Sequence, residues 1–334
     1  KDALLKAKAE IERGMEALKA DNAFWFFEPN NGELTEDRKQ FLRRYLKEED
    51  IPNKIDGQLD ALLSEAEIRG VSGGNRSSKT VTGTIDGVIK CTGELPNALE
   101  PYRSTHYKRI IERANSKFVK GRVTAVDNKQ LHRVVLDAWK KWTPKEYLLK
   151  NVWENSYSKE YDILTLYRDG KPCASVEFLT NAQDVDSSQG GDLDWAKFDE
   201  EPEQAKYKET LMRFGTADKL DIEIDWTPTK GLSWATDLFH DGILIDEDGS
   251  VDEVKNSCEL YKLTTVCNRF VDLNTMQKIM DAFAKVSSYD EMKMRLLGEA
   301  ISLSGLVYGK LFNKYDHVIP PFFETLNPAE KKDY

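Results

Sequence analysis

Gly73-Gly74-Asn75-Arg76-Ser77-Ser78-Lys79-Thr80 is the run in this chain whose residue types and order suit the binding of phosphate groups. Glycines let a backbone curl until its N–H groups face phosphate oxygens. A helix starting behind the loop adds the positive end of its dipole. The Lys79 ammonium would reach the β- and γ-phosphates of a nucleotide, and the Thr80 hydroxyl would ligate Mg2+. The order G-x-x-x-x-G-K-[ST] is kept except that Ser78 stands at the second glycine. The loop is expected to work provided φ at Ser78 is not positive. Arg76 is placed either to sense the γ-phosphate or to face solvent or DNA.

Hydrolysis of a bound nucleotide needs one carboxylate for the Mg2+ shell and usually a second to polarise the attacking water. Phe198-Asp199-Glu200-Glu201-Pro202 supplies both. Asp199 would hold Mg2+ through water, and Glu200 would act as general base. Read alone, the first motif is equally a Gly/Ser-rich surface loop and the second an acidic helix start at Pro202. Read together, each predicts the other. Residues 193–198 make a poor buried strand, because Asp194 and Lys197 interrupt it.

These groups have to be carried by strand ends and helix starts. Leu4, Ala7, Ile11, Met15 and Leu18 recur at helical spacing. Thr35 can cap a second helix carrying Phe41, Leu42, Tyr45 and Leu46, and a third spans about 58–64. Residues 1–57 therefore read as an N-terminal helical arm. From Ala66 onward strands (67–71, 122–126, 220–224) alternate with helices (80–90, 131–142, 204–214). Hairpins are expected at 161–179, turning at Asp169-Gly170, and at 242–254, turning at Asp248-Gly249. Two helices follow near 273–286 and 289–297. This alternation predicts an α/β fold of the P-loop NTPase (ASCE) type, a mostly parallel sheet flanked by helices, over residues 58–305. Residues 306–334 read as a linker.

The chain has 334 residues, with 40% hydrophobic and 32% charged, an ordinary soluble composition. No apolar run approaches the roughly 20 residues that span a bilayer. The first residues lack a signal peptide's apolar core, so a cytosolic protein without membrane attachment is expected. Cys91, Cys173, Cys258 and Cys267 form no CxxC pair, which disfavours a zinc cluster or a disulfide framework. The net charge of −10 argues against general nucleic-acid binding, so DNA contact would need a local basic patch. Lys108, Arg109, Arg113, Lys117 and Lys120 offer one, although a solvated helix face is their default reading. Residues 246–253 miss the calcium-loop spacing and read as an acidic hairpin turn.

Taken in order, the motifs resemble those of phage large terminases. The loop at 73–80 resembles that family's GGNRSGKT, with Ser78 for glycine. Ser188-Gln189-Gly190-Gly191-Asp192 through Phe198-Asp199-Glu200-Glu201-Pro202 resembles its QG…D…FDEEP segment. Trp226-Thr227-Pro228-Thr229-Lys230-Gly231-Leu232-Ser233-Trp234 resembles its TP-x-x-G-x-x-W coupling motif, and Gln58 matches the upstream glutamine that contacts adenine. Arg295-Leu296-Leu297-Gly298-Glu299 and Gly305-Leu306-Val307-Tyr308 resemble the end of its ATPase domain.

The resemblance implies a Mg2+-dependent ATPase that drives double-stranded DNA into a procapsid. It would work as a homo-oligomeric ring, a pentamer on the capsid, docked on a portal protein and assisted by a small terminase subunit. It would act in the cytoplasm of the infected host cell and transiently on the procapsid. Thr227 would couple hydrolysis to movement, and a trans arginine would come from a neighbour, with Arg213 as the candidate. The family's nuclease domain has no counterpart here, which implies a truncated chain or a motor whose nuclease lies elsewhere. Two alternatives stand beside this reading: a helicase-like DNA-remodelling ATPase, and a non-hydrolysing nucleotide-binding assembly protein.

Overall fold

The computed structural model describes residues 22–183, 191–215, 217, 219–228, 233–245, 251–253 and 257–299. The expected first helix, the segment 188–190, residues 229–232, the Asp248-Gly249 turn and everything from 300 onward lie outside the described residues. α1 (Glu36–Leu42) and α2 (Gln58–Leu62) precede β1 (Ile68–Gly73). α3 (Lys79–Thr92) and α4 (Lys108–Ser116) lead to β2 (Val119–Ala125). α5 (Asn128–Gln130) runs through a π-helical turn (Leu131–Val135) into α6 (Leu136–Trp142). β3 (Tyr157–Ser158), β4 (Ile163–Arg168) and β5 (Lys171–Thr180) follow, and Asp169 and Gly170 turn the last two with positive φ, as an Asp-Gly pair favours. Then come β6 (Trp195–Asp199), α7 (Gln204–Leu211), β7 (Ile222–Trp226) and α8 (Trp234–Asp241). The chain continues through the β8 (Ile243–Ile245) and β9 (Val251–Glu253) pair, β10 (Cys258–Leu263), α9 (Leu273–Ala284) and α10 (Tyr289–Leu297).

Among the described residues one 8-stranded sheet has the order β10-β1-β7-β6-β2-β5-β4-β3. Its ladders are parallel from β10 to β5, and β4 and β3 add an antiparallel edge. β6 and β7 are buried along their whole length, as strands covered by helices on both faces must be. Under α3 and α6, Ile85, Val88, Ile89, Trp139 and Trp195 join one apolar cluster. On the other face Phe198, Ile224, Trp226, Tyr207 and Leu238 form a second, beneath α7 and α8.

β6 corrects the expectation of a poor strand. Side chains alternate between faces with period two, so Trp195, Lys197 and Asp199 share the α3 side. There Lys197 is 3% exposed and bonds Glu223 Oε1 (2.8 Å) and Asp225, which share the α3 face of β7. Arg69 of β1 continues the ladder to Glu223 and to Asp86 of α3. Lys90 joins Asp86 (2.7 Å) and Asp221. A buried charge is tolerated when it is paired, so Lys197 extends the strand instead of ending it. Gly83 of α3 is where this ladder passes closest, because a Cβ there would overlap Lys197 Nζ and Glu223 Oε1.

Two features went beyond expectation. β10 adds the edge strand beside β1, pairing Leu263 with Gly73. The described part of the N-terminal segment packs on the C-terminal helices: Leu34, Phe41, Leu42, Leu46 and Ile55 share a core with Val266, Met276, Met280, Met292, Leu296 and Leu297.

Candidate active site

The carboxyl ends of β1, β7 and β6 lie side by side, the position where open parallel sheets bind ligands. β1 feeds the loop at 73–80, β6 ends on Asp199 and Glu200, and β7 ends on Trp226 before Thr227. Arg76 (φ 64°), Ser78 (φ 74°) and Glu200 (φ 78°) stand in the left-handed region, which disfavours side chains. Ser78 thus departs from the expectation for it. The loop keeps the backbone a glycine would have there, and the strained residue is anchored from α3, where Thr82 N and Oγ1 both donate to Ser78 O (2.9 Å each). Such strain persists where the surroundings over-determine it, typically at functional sites.

Lys79 Nζ donates to Gly73 O (2.8 Å), Gly74 O (3.2 Å) and Thr227 Oγ1 (3.2 Å). Among the described residues no carboxylate forms an ion pair with it. Burial lowers its pKa, and the nearby charges of Glu200, Asp225 and Asp199 do not fully restore it. Ser77 Oγ is buried in the same loop without a hydrogen-bond partner.

Asp199 is buried and accepts from Thr80 Oγ1 at Oδ1 (2.9 Å) and from Gln130 Nε2 at Oδ2 (2.8 Å). Glu200 accepts from Thr227 N at Oε2 (3.0 Å) and from Thr227 Oγ1 at Oε1 (3.2 Å). Thr227 Oγ1 therefore receives a bond from Lys79 while giving its own proton to Glu200, the two roles one hydroxyl can fill together. Trp234 Nε1 donates to Pro202 O (3.0 Å), which ties the end of the 226–234 segment to the 198–202 segment.

The loop is also held from outside. Thr265 Oγ1 donates to Asn75 O (2.8 Å) and Asn268 Nδ2 to Arg76 O (2.6 Å). Arg295 O lies where a Cβ on Gly74 would stand, so only glycine admits α10 this close. Gln130, Thr265 and Asn268 were missed from the sequence. A polar residue one turn into the helix after a buried strand end was the available signal for Gln130. The other two carry none, because they reach the loop from almost 200 positions away.

A groove of about 650 Å3, within the usual size of ligand sites, is lined by Asn75 to Val81 and by Gln130, Val134, Glu200, Thr227 and Phe270. Asn75, Arg76, Ser77, Ser78, Lys79, Thr80, Glu200 and Thr227 all line it. Gln58 does not: its amide is buried, accepting from Asn30 Nδ2 (3.0 Å) and donating to Thr82 Oγ1 (2.9 Å). Arg213 pairs with Glu209, and its carbonyl accepts from Leu193 N just ahead of β6, at the amino end of the strand, opposite the loop. In the basic stretch, Arg113 Nη1 donates to Asp194 O (3.1 Å) and Lys117 pairs with Asp194 (2.6 Å), whereas Lys108 and Arg109 are exposed. Among the described residues no cluster of three or more His, Cys, Asp or Glu could cage a metal. Thr80 and Asp199 offer two hard oxygen donors, which suits Mg2+ that takes its remaining ligands from phosphates and water.

No family model and no curated protein matches the chain. Solved structures do. The large terminase from a thermophilic bacteriophage aligns at 16% identity and TM-score 0.51, covering 81% of this chain and 58% of that one. That terminase has also been crystallised in complex with ADP and with ATP-γ-S. The bacteriophage HK97 large terminase aligns at 12% identity and TM-score 0.48, over 80% of this chain and 51% of its own. A Thermus phage large-terminase ATPase domain aligns at 15% identity and TM-score 0.45, over 80% and 98%. The chain spans less than two thirds of the first of these. It has the fold found in phage large terminases. No helix among the described residues is long and apolar enough to cross a membrane.

Proposed function

We propose that this chain is the Mg2+-dependent ATPase motor of a phage large terminase, which turns ATP hydrolysis into movement of double-stranded DNA into a procapsid. The observation that carries the reading is the convergence on Thr227. The groups for binding phosphate (Lys79) and for activating water (Glu200) meet at one hydroxyl, beside the Thr80–Asp199 pair.

Lys79 is buried with no ion-pair partner among the described residues, so an incoming triphosphate would supply the opposite charge and draw Nζ from the loop carbonyls. Mg2+, when bound at Thr80 and Asp199, would offset the charge developing on the phosphate oxygens. Glu200 would accept the proton of the attacking water once released from Thr227. Arg76, on the groove wall, is the candidate for sensing the terminal phosphate. Because Lys79 and Glu200 both let go of Thr227 in this scheme, Thr227 would report occupancy to β7 and to the Trp234–Pro202 tie. That supports its coupling role. An adenine contact from Gln58 would require its bonds to Asn30 and Thr82 to open.

The portal, the small terminase subunit and a ring of identical chains are the partners this reading calls for. Arg213 is the candidate for donation in trans, and wild type mixed with Arg213→Ala chains should lose turnover faster than in proportion. The primary test is nucleotide binding and turnover in Mg2+. Wild type should bind ATP, Lys79→Ala should not, and Glu200→Ala should bind with turnover lowered about 10²- to 10⁴-fold. Added double-stranded DNA should raise wild-type turnover. Unchanged turnover in Glu200→Ala would favour the non-hydrolysing assembly protein instead.

A further inference from the structure

We infer that Gln130 is a positioning residue for Asp199, fixing that carboxylate for the Mg2+ that accompanies a nucleoside triphosphate. The inference rests on the ATPase reading above. Asp199 is gripped from both sides, each oxygen by a different donor: Oδ1 by Thr80 from α3 and Oδ2 by Gln130 from α5, which follows β2. β2 is the strand next to β6, and its last residue Ala125 pairs with Asp199 in register. With both oxygens held, the carboxylate plane cannot rotate.

The direction of the Gln130 amide is set by a second bond. Its Oε1 accepts from Val126 N (3.3 Å), so Nε2 is the atom that faces Asp199. The reverse orientation would oppose oxygen to carboxylate and N–H to N–H. The backbone is fixed as well, because Gln130 N donates to Asp127 Oδ1 (2.7 Å), the cap of α5. The π-helical turn begins at the next residue, Leu131. Such wide turns are rare and often mark functional sites. Gln130 faces the groove together with Val134, Asp137 and Ala138, while Leu131, Val135 and Trp139 are buried, Trp139 against Trp195. A residue needed only to cap or pack a helix would have no cause to reach a buried carboxylate on the neighbouring strand. A neutral amide also orients Asp199 without neutralising it, as a lysine or arginine would, and so leaves its full charge for the metal.

Removing an outer partner of a metal-binding side chain commonly costs about 10- to 100-fold in metal affinity or activity. The test is a Mg2+ titration of wild type, Gln130→Met and Gln130→Glu with a fluorescent, non-hydrolysable ATP analogue, beside ATP turnover and thermal midpoints. Gln130→Met has similar length and no donor. It should bind the metal-free analogue as wild type does, need about 10-fold more Mg2+ for half-maximal tightening, and lose kcat with little change in KM. Gln130→Glu keeps the shape and the acceptor for Val126 N, and should lose kcat at least as far. A wild-type Mg2+ titration in Gln130→Met, or wild-type turnover in Gln130→Glu, overturns the inference. So does a lowered thermal midpoint together with weakened metal-free binding in Gln130→Met, which would make the residue a packing element. Failure of wild type itself to bind the Mg2+-nucleotide sinks the ATPase reading and this inference with it. Normal wild type, inactive Lys79→Ala and unaffected Gln130 variants sink this inference alone.

Discussion

Lys79, the first residue of α3, and Lys197, on the strand beneath it, are both buried lysines in opposite electrostatic conditions. Lys197 is held by Glu223 and Asp225. Burial lowers its pKa, but the charges of Asp225, Glu223 and Asp199 outweigh burial and raise it. Lys79 has carbonyls and a hydroxyl around its ammonium, and burial wins. One lysine is neutralised by the fold, and the other is left for a ligand to neutralise. Burial alone thus does not mark a functional charge; burial without a counter-ion does.

The sharpest way to break this comparison is the same substitution at both positions. Lys79→Met should reduce Mg2+-ATP binding and turnover at least ~100-fold while leaving the thermal midpoint at or above wild type, since it removes an uncompensated buried charge. Lys197→Met should do the reverse in kind. It strands Glu223 and Asp225 and should cost about 3–5 kcal/mol in chemical denaturation. Equal stability losses in the two variants would end the distinction.

Within the ladder, the acids should also differ. Burial pushes Glu223 up, yet Arg69 and Lys197 hold its carboxyl well below the usual range. Burial, with Glu223 and Asp199 nearby, pushes Asp225 well above it despite Lys197. Glu223→Gln should therefore destabilise more than Asp225→Asn, by about 2 kcal/mol if the first leaves two buried cations short of a partner. Gly83→Ala should cost about 1–3 kcal/mol by forcing a methyl onto Lys197. The smallest effect is expected at the loop. Ser78→Gly relieves a left-handed serine and should gain about 1 kcal/mol with nucleotide binding kept or improved. A loss of binding there would mean that the serine side chain itself touches the ligand.

The loop and the Asp199-Glu200 pair were legible because each is contiguous, and the chemistry dictates residue types at fixed offsets. Much of the strand and helix order was legible from periodicity; the short β3 and the half-exposed edge strand β10 were not. β6 was misread because its polar interruptions are resolved by Glu223 and Asp225, on another strand. Gln130, Thr265 and Asn268 escaped for a related reason: their roles exist only once distant segments meet. The φ of Ser78 depends on what α3 and the clamp impose, which residue type alone does not reveal.

The clamp on the loop also bears on where this chain can be cut. Thr265, Asn268 and the Arg295 carbonyl hold the loop from a segment whose own core is completed by Leu34, Phe41, Leu42 and Ile55. A fragment starting at Gln58 would keep every nucleotide-contacting motif named above and still uncover that core. Proteolytic nicking between α1 and α2 followed by loss of the N-terminal piece should therefore silence the site from a distance. Protection of that stretch from protease by Mg2+-ATP would be the visible sign that residues 34–55 and 265–297 together bear on one loop.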